Sequence, residues 1–205
     1  SNTIQVRQTD VAGNVSAPSS LTFTLDTLAP TLTITDNVAG VANGPVTFTF
    51  TFSEAVTGFT ADDINVTNGT KGAFTTVDGL TYTLVVTPTG GEIAVSVPAN
   101  AAQDAAGNNS TAASATQAVD IGAPTVSSIV MADPALSVGE TTTVTITFTE
   151  AVTGFDNADV TVENGTLSNL VSADGGVTWT GTFTPTANIE DATNIITIGT
   201  GYTDL

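Results

Sequence analysis

Val46-Thr-Phe-Thr-Phe-Thr-Phe-Ser-Glu-Ala-Val-Thr-Gly-Phe59 is the stretch that decides the fold. Its first half alternates apolar residues with Thr, the two-residue period of a strand with one buried face. The pattern returns as Thr142-Thr-Val-Thr-Ile-Thr-Phe148, followed by Thr149-Glu-Ala-Val-Thr-Gly-Phe155. Ser53–Phe59 and Thr149–Phe155 differ only in their first residue and stand 96 residues apart. Asp26-Thr-Leu-Ala-Pro30 likewise returns as Asp120-Ile-Gly-Ala-Pro124, and Asp10-Val-Ala-Gly-Asn14 as Asp104-Ala-Ala-Gly-Asn108, both 94 residues on. A period of about 95 residues is too long for a solenoid rung, so each copy reads as a complete small domain in a tandem array.

Outward from that stretch, alternation continues in Thr81-Tyr-Thr-Leu-Val-Val-Thr87 and in Thr178-Trp-Thr-Gly-Thr-Phe-Thr184. Tyr82 and Trp179 are expected at equivalent inward sites, with Gly181 leaving room for the larger indole. Strands are expected in the middle repeat near 31–35, 46–52, 63–66, 72–77, 81–87, 93–97 and 112–119. Turn residues separate them at Ala42-Asn-Gly-Pro45, Asn68-Gly69, Asp78-Gly79 and Gly90-Gly91. No segment carries a sustained helical period. Seven short strands in a repeat of this size predict an immunoglobulin-like sandwich, without the buried Trp and Cys pair of antibody domains. The expected fold is all-β: tandem immunoglobulin-like seven-stranded β-sandwiches arranged end to end. Residues 1–28 match the last two strands of a preceding repeat, 29–122 form a complete repeat, and 123–205 form a repeat lacking its last strand. Pro30 and Pro124 favour straight linkers.

Composition removes several functions. The 205 residues contain no Cys and no His, which excludes disulfides and the usual zinc, haem and thiol chemistry. Arg7 and Lys71 face 20 acidic residues, for a formal charge of −18. No basic patch exists to neutralise phosphates, so a nucleic-acid partner is not expected. No apolar run approaches the length of a membrane span, so no membrane insertion is expected.

In an antiparallel sandwich, strand parity decides which loops share an end. The end where the chain enters the middle repeat should gather Asp26, Glu54, Asp62, Asp63 and Asp104; the last repeat should gather Asp120, Glu150, Asp159 and Asp204. Glu54 continues the inward parity of Phe48, Phe50 and Phe52, so its carboxylate should point toward the domain end. Glu150 follows Ile146 and Phe148 in the same way. Clustered carboxylates with almost no Lys or Arg repel one another, and a bound cation would reverse the sign. All-oxygen ligation points to a hard ion, with calcium better suited than magnesium to irregular loops. A second reading stands beside it: Glu54 caps backbone amides, and the aspartates are solvated turn formers.

The TF(S/T)EAVTGF run, the following Asp-Ile/Val-x-Val-x-x-Asn-Gly-Thr, the D-x-A-G-N loop and the D-x-x-A-P linker resemble the bacterial immunoglobulin-like repeats of very large secreted surface adhesins. The resemblance covers nearly the whole chain. It implies an extracellular stalk or spacer at the bacterial cell surface, with neighbouring repeats of the same chain as partners. It further implies calcium at the domain junctions through Asp26, Glu54, Asp63 and Asp104, with Asp120, Glu150, Asp159 and Asp204 as the second set.

Competing functions stay open. An enzyme is not expected, since no nucleophile motif exists and catalytic groups are not normally duplicated at each joint. A binding module would use the Thr rows against ice, glycan or another cell, but outward Thr is also what an ordinary solvated strand prefers. Strand Leu21-Thr-Phe-Thr-Leu25 has the alternation that the last repeat lacks, which allows self-association by head-to-tail strand addition.

Overall fold

The computed structural model describes residues 2–205. The chain divides into two compact units, Ser1–Ile121 and Gly122–Leu205. Among the described residues there is no α-helix, so none is long and apolar enough to cross a membrane.

Unit 1 opens with a hairpin of β1 (Asn2–Val6) and β2 (Ser19–Phe23), paired antiparallel from Asn2↔Phe23 to Val6↔Ser19. Every side chain of this hairpin is exposed. Then follow β3 (Leu32–Asp36), β4 (Val46–Phe52), β5 (Asn65–Thr67), β6 (Gly69–Thr76), β7 (Thr81–Pro88), β8 (Ile93–Val97) and β9 (Ala113–Gln117). They form two antiparallel sheets, β3-β4-β7-β6 and β5-β8-β9. Inward residues of both sheets meet in one core: Phe48, Phe50 and Phe52 of β4, Leu84 and Val86 of β7, Val95 and Val97 of β8. Full burial of each such side chain stabilises the fold by roughly 1.5–3 kcal/mol. The chain closes with Ala42 paired to Val119 in parallel, beyond the end of β9.

The repeated heptapeptide is the turn that seals this core. Gly58 takes φ +87°, a conformation that favours glycine, and the chain folds back to bury Val56 and Phe59. The Phe59 ring meets Phe50, Phe52, Phe74 and Tyr82 at centroid distances of 5.7, 5.1, 5.9 and 5.1 Å. Such tilted and edge-on contacts suit the ring quadrupoles.

Unit 2 repeats the plan with β10 (Val126–Met131), β11 (Thr142–Phe148), β12 (Val152–Thr153), β13 (Val160–Val162), β14 (Gly165–Leu167), β15 (Val171–Ser172), β16 (Thr178–Pro185), β17 (Ile196–Ile198) and β18 (Thr203–Asp204). One sheet runs β10-β11-β16-β14, with β15 also on β16; β13 pairs with β17 and β12 with β18. Phe155, at the end of the second heptapeptide, packs on Phe148, Trp179 and Tyr202. No strand among the described residues pairs with the other edge of β17, the edge that β9 covers on β8 in unit 1.

Two strands of unit 1 begin elsewhere than the alternation predicts. The third strand begins at Asn65, because Ala61–Asp63 coil into a 3-10 turn. The fourth begins at Gly69, immediately after Asn68 turns the chain at φ +58°. Tyr82 and Trp179 do sit at equivalent positions, paired with Phe50 and Ile146. Gly181, however, makes room for the leucines: a Cβ there would stand 3.2 Å from both Leu167 and Leu170.

Candidate metal centre

Three segments far apart in sequence each deliver a carboxylate to the same end of unit 1. Asp26 precedes β3, Glu54 follows β4, and Asp104 lies between β8 and β9. Leu32 pairs with Phe52, Val97 pairs with Ala113, and the Thr111 amide donates to the Pro30 carbonyl at 3.0 Å, so the start of β3, the end of β4 and the start of β9 are neighbours. One carboxylate oxygen from each residue lies within 4.8 Å of the other two. Asp104 is buried, Glu54 half-buried and Asp26 exposed.

The Asp104–Asn108 loop holds its carboxylate by local bonds. Asp104 Oδ1 accepts from the amides of Ala106 and Asn108 at 2.8 Å, and Oδ2 accepts from the Asn108 side chain at 2.7 Å. Gly107, at φ +91°, lets the chain turn tightly enough for these bonds. The loop at Asp10 repeats them through Ala12 and Asn14 at 2.9, 2.8 and 2.9 Å, so the motif encodes its own geometry. Asn108 does more than Asn14: its Nδ2 also donates to the Asp26 carbonyl at 3.3 Å, tying the loop to the linker.

Electrostatics separate the carboxylates. Burial acts to raise the pKa of Asp104, but hydrogen bonds from Asn108, Ala106 and Gly107 outweigh it and hold the group below its ordinary value. Glu54 moves the other way, pushed up by desolvation and then by repulsion from Asp104 and Asp26. Lys71 does not relieve this, since its Nζ donates to the Ala61 carbonyl at 2.7 Å.

Oxygens that share a calcium ion at about 2.3–2.6 Å stand at most about 4.6–5.2 Å apart. The cluster meets that condition, and its all-carboxylate chemistry suits a hard cation. Asp26, Glu54 and Asp104 would be the ligands, with Asn108 orienting Asp104 from behind. That outer role was missed in the sequence, although Asn108 is part of the repeated motif.

The other expected ligands are placed as follows. Asp63 is turned onto its own 3-10 turn, where Oδ2 accepts from the amide and hydroxyl of Thr60 at 2.8 and 2.9 Å. Asp159 does the same in unit 2, accepting from the Asp156 amide at 3.1 Å. Both cap a turn and stand outside the grouped carboxylates. Within unit 2, Glu150 follows β11 as Glu54 follows β4, and Asp204 on β18 brings a carboxylate oxygen within 4.8 Å of it. Asp120 belongs to the end of unit 1, where its amide donates to the Ala42 carbonyl at 2.9 Å.

A family model described as the bacterial Ig-like domain matches residues 26–121 and again 120–205. The chain belongs to that family and carries two tandem copies of the domain. No curated protein and no solved structure matches it.

Proposed function

We propose that this chain is a non-catalytic stalk segment of a bacterial surface adhesin, in which calcium stiffens the chain where it enters each repeat. The observation that carries the reading is the convergence of Asp26, Glu54 and Asp104 from three separate segments, where desolvation and then repulsion from Asp104 and Asp26 raise the pKa of Glu54. A cation removes that repulsion and ties the linker residue Asp26 to two loops of the domain it precedes. Tandem copies of one domain suit a spacer, because length then scales with repeat number. Affinity in the range of extracellular modules, about 10⁻⁴–10⁻³ M, would keep the site filled outside the cell.

Calorimetric melting and small-angle scattering, each with calcium and with chelator, test this. Calcium should raise the melting temperature and narrow the distribution of end-to-end distances. Identical melting and identical scattering in both conditions reject the calcium part of the reading.

A further inference from the structure

We propose that Asn43 is a site of spontaneous deamidation, through which the chain rewrites its own backbone and loosens the closure of unit 1. The inference is independent of the metal reading. Asparagine or aspartate followed by glycine is prone to this chemistry, because glycine has no Cβ to shield its nitrogen from the preceding side chain. The chain holds five such pairs: Asn43-Gly44, Asn68-Gly69, Asp78-Gly79, Asn164-Gly165 and Asp174-Gly175. Folding protects four of them and leaves one open.

Asn68 Nδ2 donates to the Glu92 carbonyl at 2.8 Å, and the Asn68 carbonyl accepts from the Thr89 amide at 3.0 Å. Asn164 Nδ2 donates to Asn194 Oδ1 at 2.7 Å and to Asp191 Oδ2 at 3.0 Å, and its carbonyl accepts from the Thr186 amide at 2.8 Å. The glycines that would attack begin β6 and β14. A Cβ on Gly69 would press into Val86 and one on Gly165 into Phe183, so neither backbone has room to swing toward the side chain before it. Asp78 Oδ1 accepts from the Leu80 and Thr81 amides, and Asp174 Oδ1 from the Thr178 amide and the Ser172 hydroxyl. An ionised carboxylate held in this way is also a poor electrophile.

Asn43-Gly44 differs on each count. Asn43 is exposed in the bend between β3 and β4, and among the described residues neither its side chain nor the Gly44 amide has a hydrogen-bond partner. A Cβ on Gly44 would meet nothing within 4 Å. The Gly44 nitrogen is therefore free to attack Cγ of Asn43. As that bond forms the Cγ–Nδ2 bond breaks, the Gly44 amide proton leaves with the departing nitrogen as ammonia, and a succinimide ring remains. Water then opens the ring, at Cγ to give aspartate or at the main-chain carbonyl carbon to give isoaspartate. In isoaspartate the backbone runs through the former side chain and is one carbon longer.

Position gives the reaction its consequence. Ala42 is 3% exposed; its amide donates to the Ala118 carbonyl and its carbonyl accepts from the Asp120 amide, both at 2.9 Å. Val46, at the start of β4, is 0% exposed. An added backbone carbon between these two buried anchors displaces one of them, and Ala42 is the one that closes the end of unit 1 against Val119. Unit 2 has Gly139-Glu140 at the corresponding place, so it carries no open pair there.

Ageing the full 205-residue chain at mildly alkaline pH tests the proposal, with peptide mapping by mass spectrometry and fragmentation that separates isoaspartate from aspartate. Both products should accumulate at Asn43, and faster as pH rises, because the attacking nitrogen must lose its proton. In the folded chain Asn68 and Asn164 should react at least about tenfold more slowly, since their hydrogen bonds must open first. In urea the three sites should react at similar rates. Gly44→Ala, at a position with room for the methyl group, should suppress the reaction at Asn43. Aged protein enriched in isoaspartate should show unit 1 melting at a lower temperature, whereas Asn43→Asp, which adds the charge without lengthening the backbone, should melt like the fresh chain. An Asn43 that survives ageing unchanged overturns the proposal. So does reaction at Asn68 or Asn164 as fast as at Asn43 in the folded chain, or isoaspartate-bearing protein that melts like the fresh chain.

Discussion

Asn108 donates a 2.7 Å hydrogen bond to Asp104 Oδ2, and the same amide nitrogen reaches the Asp26 carbonyl at 3.3 Å. One neutral side chain thereby fixes a buried carboxylate and the linker that bears its neighbour. Groups that orient metal ligands from behind typically change affinity by about 10–100-fold when removed. Asn108→Ala should weaken calcium binding by that factor in titration calorimetry. Asn14→Ala, which removes the matching 2.9 Å bond to the exposed Asp10, should leave affinity unchanged.

Glu54 carries a sign that can be tested without metal. Its folded pKa is raised by desolvation and by repulsion from Asp104 and Asp26, so the folded state holds the proton more tightly than the unfolded chain. Stability of the metal-free protein should therefore fall as pH rises from the ordinary glutamate range toward neutrality. Glu54→Gln should flatten that fall, raise the metal-free melting temperature at pH 7, and abolish the calcium response of unit 1. A lower metal-free melting temperature in this variant would show that the carboxylate is satisfied by backbone amides instead.

Asp174 works in the opposite direction. Its carboxyl is lowered to about 2, first by hydrogen bonds from the Thr178 backbone and side chain and then from Ser172. The stability it contributes is complete above the ordinary aspartate value and is lost as pH falls through about 2. Acid titration followed by Trp179 fluorescence should show unit 2 weakening over that window, and Asp174→Asn should remove the component.

Phe59→Ala takes away the ring that meets four other aromatics at the end of the unit 1 core. Loss of a buried Phe usually costs about 3–5 kcal/mol. Urea unfolding should show that cost in unit 1, and Phe155→Ala a comparable one in unit 2.

Gly176→Ala should destabilise unit 2 through the backbone alone. Gly176 sits at φ +108°, and a Cβ there would press into the Val152 carbonyl. The left-handed conformation itself costs an alanine about 1–2 kcal/mol. The clash adds to this, so the urea midpoint should fall by more than that of Gly175→Ala, which meets no atom within 4 Å.

Much of this molecule was determined by sequence alone. Alternation in Val46–Phe52 and Thr142–Phe148 fixed strands with one buried face, because a two-residue period leaves no other regular structure able to bury those Phe residues together. Repetition of the heptapeptide and of the two Asp motifs implied two copies of one domain, and the parity of Glu54 placed it at the end where Asp26 and Asp104 meet. Tertiary structure alone decided which carboxylates face one another. Asp63 and Asp159 each belong to a 3-10 turn that offers a backbone donor three residues away, and their carboxylates are engaged there. It also decided that Gly181 serves Leu167 and Leu170, since those contacts cross between strands whose spacing no local pattern records. Local periodicity sets which face of a strand is apolar; the atoms that meet across the core are set by packing, to which residues far apart in the chain contribute together.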